Sequence, residues 1–437
     1  MRQLTERSCR SMSVKVELGF TSAGASAPFF TFDSEALGRL DDPASLLGGG
    51  QVLVDVSSYV RDFNTSRGKT RELERFQAGQ ASVSFNNSQR VFDPTYALSP
   101  FFGQIEPRRQ MVISVDDIIQ YEGTIDDWNI GYEQGGNSIA VAIAFDGIAN
   151  LANIALQDFT PSGSVIESKF FILNDATRGT LDDANNLLAG TGGTVTTGRA
   201  INWPDDRRDL DTGQAVVESN LIENDTIVLD YLQKVAASEP SGVFISKSGD
   251  VKFVERNAGF LGSKPLFSDD GTGIPYSIVS VIFGTELLYN EVLVTNSTTQ
   301  ASATNADSIS LYGKRDVTRE TFLDSFAQLS QLADFLVGKF GEPEFRFEVI
   351  EINLDNLNAT QRQEMLNLEL GDFVQVKFTP SDIPPAIERY GEVISTKSVF
   401  TPTSEVIQIG LQSVQGALVV LDTEAFGKLD SQSVLGF

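Results

Sequence analysis

Glu72-Leu-Glu-Arg-Phe-Gln-Ala-Gly79, Gln80-Ala-Ser-Val-Ser-Phe-Asn86 and Val91-Phe-Asp-Pro94 form the stretch from which the fold is read. A short polar turn ends at Gly79, and the residues after it alternate. Ala81, Val83 and Phe85 fall on one face of an extended chain and Ser82, Ser84 and Asn86 on the other. That spacing predicts a strand with one solvated side. Asn86-Asn87 ends it. Pro94, Pro100 and Pro107 then keep the chain irregular as far as Met111, because each proline removes a ladder donor.

Outward from this strand the same alternation recurs. Val14–Phe20, Gln51–Val56, Met111–Val115, Ile118–Gly123 and Ser138–Phe145 read as strands, with a hairpin at Asp116-Asp117. Ile125–Ile130 sits between two of these runs and offers Trp128 as a packing anchor. Asp146–Ile154 reads as a short amphipathic helix. Residues 14–156 are therefore expected to form one antiparallel β domain, a barrel or small sandwich, preceded by a loose tail at 1–13. Met12 is a plausible alternative translation start.

After Pro161 the pattern changes. Ser168–Leu188 has helical stretches, followed by the Gly/Thr-rich loop Gly190–Gly198. Asn224 suits the N-cap of a helix reaching Ala237, with Val228, Tyr231, Leu232 and Val235 on one face. Gly242–Glu255 reads as a hairpin turning near Ser248-Gly249. Residues 157–284 are thus expected to be a mixed α+β, peripheral region. Strands resume at Tyr289–Thr295 and Ile309–Gly313, with a helix at 319–340. Phe345–Ile352, a turn at Gly371-Asp372 followed by a strand to Phe378, and a hairpin of Tyr390–Val399 with Glu405–Leu411 complete a second β domain at 285–415.

The composition excludes several functions. Histidine is absent, which removes His-based triads, His general bases and His metal ligands. Cys9 is the only cysteine, so neither an intrachain disulfide nor a thiolate zinc cage is available. No apolar run approaches the ~18 residues of a membrane span. Against 59 acidic residues stand 33 basic ones, a formal charge of −26. Such a surface repels nucleic acid over about a Debye length. It fits plain solubility, and equally the wall of a passage along which a polyanion slides without sticking.

The order of turn, half-solvated strand and proline-rich excursion resembles the opening domain of tail-hub and minor tail proteins of long-tailed bacteriophages. The helix and hairpin at 224–255 are similar to a pair common in that family. The Leu368-Glu-Leu-Gly-Asp372 turn, with its strand and two-strand return, resembles the family's second tube domain. The resemblance covers roughly residues 14–415 in arrangement. It implies a mainly β fold, with two tube-type β-barrel-like domains flanking a mixed region. It further implies a structural, non-enzymatic virion protein at the distal end of the tail, without a cofactor. Such hubs are typically homotrimers that meet a sixfold tube. Implied partners are a distal tail ring protein, the tape-measure protein and tail fibre or receptor-binding proteins, with genomic DNA in transit and no specific binding to it. A hexameric distal tail ring protein shares the tube-domain logic, and a tail-borne glycan-binding or glycan-hydrolysing protein is the alternative of another class.

A repeat joins the two ends. Phe32-Asp-Ser-Glu-Ala-Leu-Gly-Arg-Leu-Asp41 returns as Leu421-Asp-Thr-Glu-Ala-Phe-Gly-Lys-Leu-Asp430, with six of ten positions identical. Each copy can form one helical turn with a glycine stop and an apolar plug, or the match is coincidence between two acidic turns. Read as clips at 32–48 and 416–437, they offer Phe32, Glu35, Leu37, Leu40, Leu421, Glu424, Phe426 and Leu429 as assembly contacts. Arg67, Lys69, Arg71 and Arg75 are the one concentrated basic stretch outside the tail. Interspersed Glu72 and Glu74 favour salt bridges between subunits, through Arg71 and Arg75, over nucleic-acid contact.

Candidate chemistry is weak. Acid pairs recur at Asp41-Asp42, Asp116-Asp117, Asp126-Asp127, Asp182-Asp183, Asp205-Asp206 and Asp269-Asp270, where solvated turns are the plainer reading than a glycosidase pair. Asp209-Leu-Asp-Thr-Gly213 lacks the distal bidentate acid of a calcium loop. Gly190-Thr-Gly-Gly-Thr194 lacks the lysine of a phosphate loop. Trp203-Pro204 reads as local packing.

Overall fold

The computed structural model describes residues 14–21, 51–134, 136–153, 207–218, 225–239, 242–255 and 264–414, with short strand segments at 155–156, 180–181, 193–194, 417–418 and 433–434. The first half of the chain supplies β1 (Val14–Thr21), β2 (Gln51–Asp55), β3 (Val60–Gly68), β4 (Gln77–Asn86), β5 (Gln110–Val115), β6 (Ile118–Tyr132) and β7 (Ser138–Phe145). They pair antiparallel in the spatial order β3-β4-β7-β6-β5-β1-β2. The alternation read in β4 is real: Ala81, Val83 and Phe85 are fully buried. Each lies opposite an alanine of β7, in the pairs Phe85–Ala140, Val83–Ala142 and Ala81–Ala144, which leaves room on the core face for the larger Phe85 and Val83. The β5–β6 hairpin turns at Asp116 and Asp117, both with positive φ (48° and 63°), as a two-residue turn matched to strand twist requires. β6 continues through Ile125–Ile130, with a bulge between Ile125 and Asp127, and is longer than its sequence pattern suggests.

The proline-rich excursion after β4 closes over one end of this core. Asn87 is fully buried, its Oδ1 accepting the Phe92 N–H at 2.8 Å and its Nδ2 donating to Ser138 Oγ. This aims Phe92 between Phe85 (4.5 Å) and Trp128 (5.8 Å). Asp146 caps the short helix α1 (Gly147–Leu151) by accepting the Ile148 N–H.

The middle of the chain contributes β8 (Arg208–Leu210), α2 (Val228–Ala236), β9 (Gly242–Ile245) and β10 (Val251–Val254), the strands in the order β8-β10-β9. The apolar face of α2 is buried at Val228, Tyr231, Leu232 and Val235, and the β9–β10 turn passes through Gly249 with φ 83°. Ile227 stands at the N-cap; Asn224 lies outside the described residues. Of the span 168–198, only Thr180–Leu181 and Gly193–Thr194 are described, as a strand pair rather than helix.

The last part holds β11 (Leu266–Ser268), β12 (Ile278–Gly284), β13 (Glu291–Thr295), β14 (Gln300–Thr304), α3 (Ala306–Tyr312), β15 (Asp316–Glu320) and α4 (Phe326–Phe340). It continues with β16 (Glu344–Asn353), α5 (Ala359–Asn367), β17 (Phe373–Phe378), β18 (Ile387–Thr401) and β19 (Ser404–Ser413). Two expectations fail here. Ile309–Tyr312 is helix, not strand, with Gly313 as its C-cap, and Asn305 caps the other end by accepting the Ser308 N–H. The long helix begins at Phe326 rather than Arg319: Ser325 is its cap, and Arg319 belongs to β15, which pairs parallel with β13. β13, β14, β15 and α4 enclose a separate core of Val292, Val294, Leu329, Leu332, Leu336 and Phe340.

The large sheet does not stop at β3. β18 pairs with it, giving one 13-stranded sheet in the order β12-β16-β19-β18-β3-β4-β7-β6-β5-β1-β2, with β17 on the outer half of β18 and β11 on β17. The fold is mainly β with a mixed middle, as read from the sequence. The sheet is not closed into a barrel, however. β3 gives its second edge to β18, which leaves β12 and β2 at the two ends.

Candidate functional site

The junction between the two sheet halves carries the most constrained chemistry of the described chain. β3 and β18 run in register from Phe63–Phe400 to Gly68–Ser395. The rings of Phe63 and Phe400, both buried, stack at 4.6 Å and 9°, an arrangement worth ~0.5–1.5 kcal/mol beyond their burial. Gly68 ends β3 with φ 114°, and a Cβ there would stand 2.2 Å from the Ile394 carbonyl oxygen. Only glycine fits this position.

Next to it, Arg67 points into the core. Its side chain is 2% exposed, Nη1 lies 2.9 Å from Glu369 Oε1, and Nη2 donates to the Ile245 carbonyl. Glu369 Oε2 accepts the Lys247 N–H at 2.8 Å, and Lys247 Nζ donates to the Leu366 carbonyl. One ion pair thus ties together β3, the β9–β10 hairpin and the turn before β17. Burial works to raise the Glu369 carboxyl, but Arg67 and Lys247 outweigh it and hold it below its ordinary value. Burial lowers the amines of Lys69 and Lys247 to about 8. It raises the Asp146 carboxyl to about 7, although Gly79 and Ile148 donate to it and Arg67 is near. A second tie is Arg362 on α5, which donates to Asp116 in the β5–β6 turn and to Glu405 on β19.

A cavity of about 460 Å³ opens beside this seam, lined among others by Ser66, Lys69, Ile282, Arg346, Lys397 and Gln408. At its wall the buried carboxylate of Glu72 faces Lys339 (3.6 Å) and Arg346 (3.8 Å) and accepts the Ser413 N–H. Charges here are balanced within the chain. The arrangement ties the two halves together at the seam. The outward face of the sheet across the seam is mostly polar, and carries Asp62 and the exposed Val399 as well. Asn64, Ser66, Ser82, Ser84, Asn86, Ser395, Lys397 and Gln408 share it with the half-buried Val141 and Ile143.

The sequence-derived candidates distribute as follows. Phe32, Glu35, Leu37, Leu40, Leu421, Glu424, Phe426 and Leu429 lie outside the described residues. The salt bridges expected between subunits have partners within the chain. Arg71 meets Glu286 at 2.6 Å and Arg75 meets Asp230 at 3.2 Å, all four half-exposed, while Arg67 and Lys69 are core residues. Asp209 pairs with Lys252, and Asp211 accepts the Glu255 N–H, so the calcium-like spacing is used structurally. Asp126 lies 3.9 Å from Arg108, and Asp270 pairs with Lys377. Among the described residues no group of three or more acids, cysteines or histidines converges as a metal site, and no helix is long and apolar enough to cross a membrane. Trp128 is committed to packing, and Trp203 lies outside the described residues. Glu369, Lys247 and Arg362 were missed. The signal for Glu369 is a carboxylate between two core leucines, Leu368 and Leu370.

No protein-family model and no curated protein sequence matches the chain. Solved structures do. The tail protein from Neisseria meningitidis MC58 superposes with a TM-score of 0.54 at 11% identity, over 92% of this chain and 97% of that one. The 43 kDa tail protein of prophage MuSo2 from Shewanella oneidensis gives 0.51 at 10% identity, over 92% and 98%. This chain has the fold of these tail proteins.

Proposed function

We propose that this chain is the structural subunit of a tail-tip or baseplate hub. It ends the tail tube, adapts sixfold to threefold symmetry as a homotrimer, and anchors distal host-recognition proteins. The observation that carries the reading is the likeness to two tail proteins over nearly their whole lengths. The two strand-rich halves, locked at one seam, supply a physical basis: two tube-type units per chain, in three copies, present six positions to a sixfold ring. The mostly polar sheet face is the surface assigned to the passage. It offers mainly hydroxyls and amides; Lys397 is exposed on it, but Arg67 and Lys69 at the seam are internal, so a duplex finds few phosphate partners. A distal tail ring protein above, a tape-measure protein in the lumen and fibre or receptor-binding proteins below are the proposed partners. No residue is assigned a catalytic role.

Immunogold labelling of tailed particles with antibody raised against the purified chain tests this. Label confined to the far end of the tail is expected. Label along the whole tube, or on the capsid, would overturn the reading.

A further inference from the structure

We propose that the joint around Arg67 is a proton-operated clasp: it holds the β9–β10 hairpin and the turn before β17 against the sheet while Asp146 keeps its proton, and loosens when Asp146 ionises. The clasp is a property of the single chain and does not rest on the hub reading. Asp146 is buried, 4% exposed. One of its oxygens accepts the Gly79 N–H at 2.8 Å and the other the Ile148 N–H at 3.0 Å, and among the described residues it belongs to no salt bridge. A carboxylate so placed is costly to ionise unless a cation serves it. The cation at hand is Arg67, and that guanidinium is already engaged by Glu369 and the Ile245 carbonyl. Gly79 lies between the two: a Cβ there would stand 2.6 Å from Asp146 Oδ2 and 2.8 Å from Arg67 Cγ. Because glycine has no side chain, the Arg67 stem and the Asp146 carboxyl meet across it. Two carboxylates thus draw on one guanidinium.

The other groups near Asp146 leave that competition to decide the outcome. Tyr121 on β6 donates its hydroxyl to the Gly79 carbonyl, and burial raises the phenol so far that it stays neutral. α1 also packs against α2 and β9. α2 brings Asp230, Tyr231 and Lys234, of which Asp230 pairs with Arg75, Lys234 pairs with Glu320 and Tyr231 is buried; β9 has no titratable residue. Around the Arg67–Glu369 pair stand Lys247 and Asp372. Burial raises the Asp146 carboxyl to about 7. The folded chain therefore binds a proton there that the unfolded chain, with an ordinary value of 3.8, releases. The stabilisation is complete below the unfolded value and is lost as pH rises through about 7. Above that point ionised Asp146 competes for Arg67, and the hold on Glu369 and Ile245 weakens.

The test follows backbone hydrogen exchange of the full chain by mass spectrometry across neutral pH, corrected for the intrinsic pH dependence of exchange. Protection of residues 243–247 and 369–373 is expected to fall roughly fivefold or more as pH passes through the Asp146 transition, with the rest of the large sheet unchanged. Asp146→Asn, which cannot ionise, should hold one level throughout. Glu369→Gln leaves Arg67 to Asp146 alone, so the fall should move to lower pH by roughly one unit. Lys247→Met should leave the fall where it is. Constant protection in the unsubstituted chain would overturn the clasp, and so would a fall that persists in Asp146→Asn or keeps its midpoint in Glu369→Gln. A fall that disappears in Lys247→Met would transfer the titration to the lysine. One spread over the whole sheet would make it a matter of global stability; either result overturns the proposal.

Discussion

Arg67 shows how much a single side chain settles in this protein. In the sequence it belongs to a basic stretch read as favouring salt bridges between subunits; in the structure it is a core residue whose guanidinium neutralises Glu369. Removing one partner of a buried pair strands the other charge. Arg67→Met should therefore cost on the order of 3–5 kcal/mol, while Arg67→Met with Glu369→Leu should recover much of that loss. Denaturant titration of the two variants measures it, and equal losses in both would show that the pair does not couple. The buried amines give a second prediction. Lys69 and Lys247 ordinarily titrate near 10.5, but burial lowers them to about 8 in the folded chain. Between these values the unfolded chain binds more protons, so stability rises with pH. The stabilisation is complete above the unfolded value and is lost as pH falls toward 8. A thermal midpoint that climbs between about pH 8 and about pH 9.5, and climbs less in Lys69→Met, is expected. A flat or falling midpoint would contradict it.

At the scale of elements, strands with one buried face were legible and their exceptions have physical causes. β4, β7 and the β18–β19 hairpin alternate because one side is core and the other solvent. The helix α3 was misread because Leu311 and Tyr312 are exposed, so its apolar residues carry no burial period. β12 went unread because it ends the sheet and its exposed residues break the alternation. The start of α4 was misplaced because Phe322 continues the helix's apolar spacing while packing against the main core, before the Ser325 cap. The end repeat is tested at this scale too. Deleting 418–437 should weaken ring assembly or stacking while leaving the circular dichroism and thermal midpoint of the chain unchanged; assembly at the wild-type concentration would retire the clip idea.

For the whole molecule, the class of fold was readable but the joining of the halves was not. The β3–β18 ladder links residues more than 300 positions apart, and no local pattern encodes such a pairing. The same holds for the seam: Glu369, Lys247 and Arg362 gain their roles only from partners distant in sequence. What this architecture offers is one continuous sheet with two strand-rich halves and a mostly polar outer face. In the proposed hub three such units surround a passage. Light scattering of the purified chain, followed by averaged electron micrographs of the oligomer, tests it most directly. Three times the 47.5 kDa of one chain and a threefold ring with a duplex-wide centre are expected. A sixfold ring, or a compact particle without a channel in the presence of tail-ring neighbours, would contradict it.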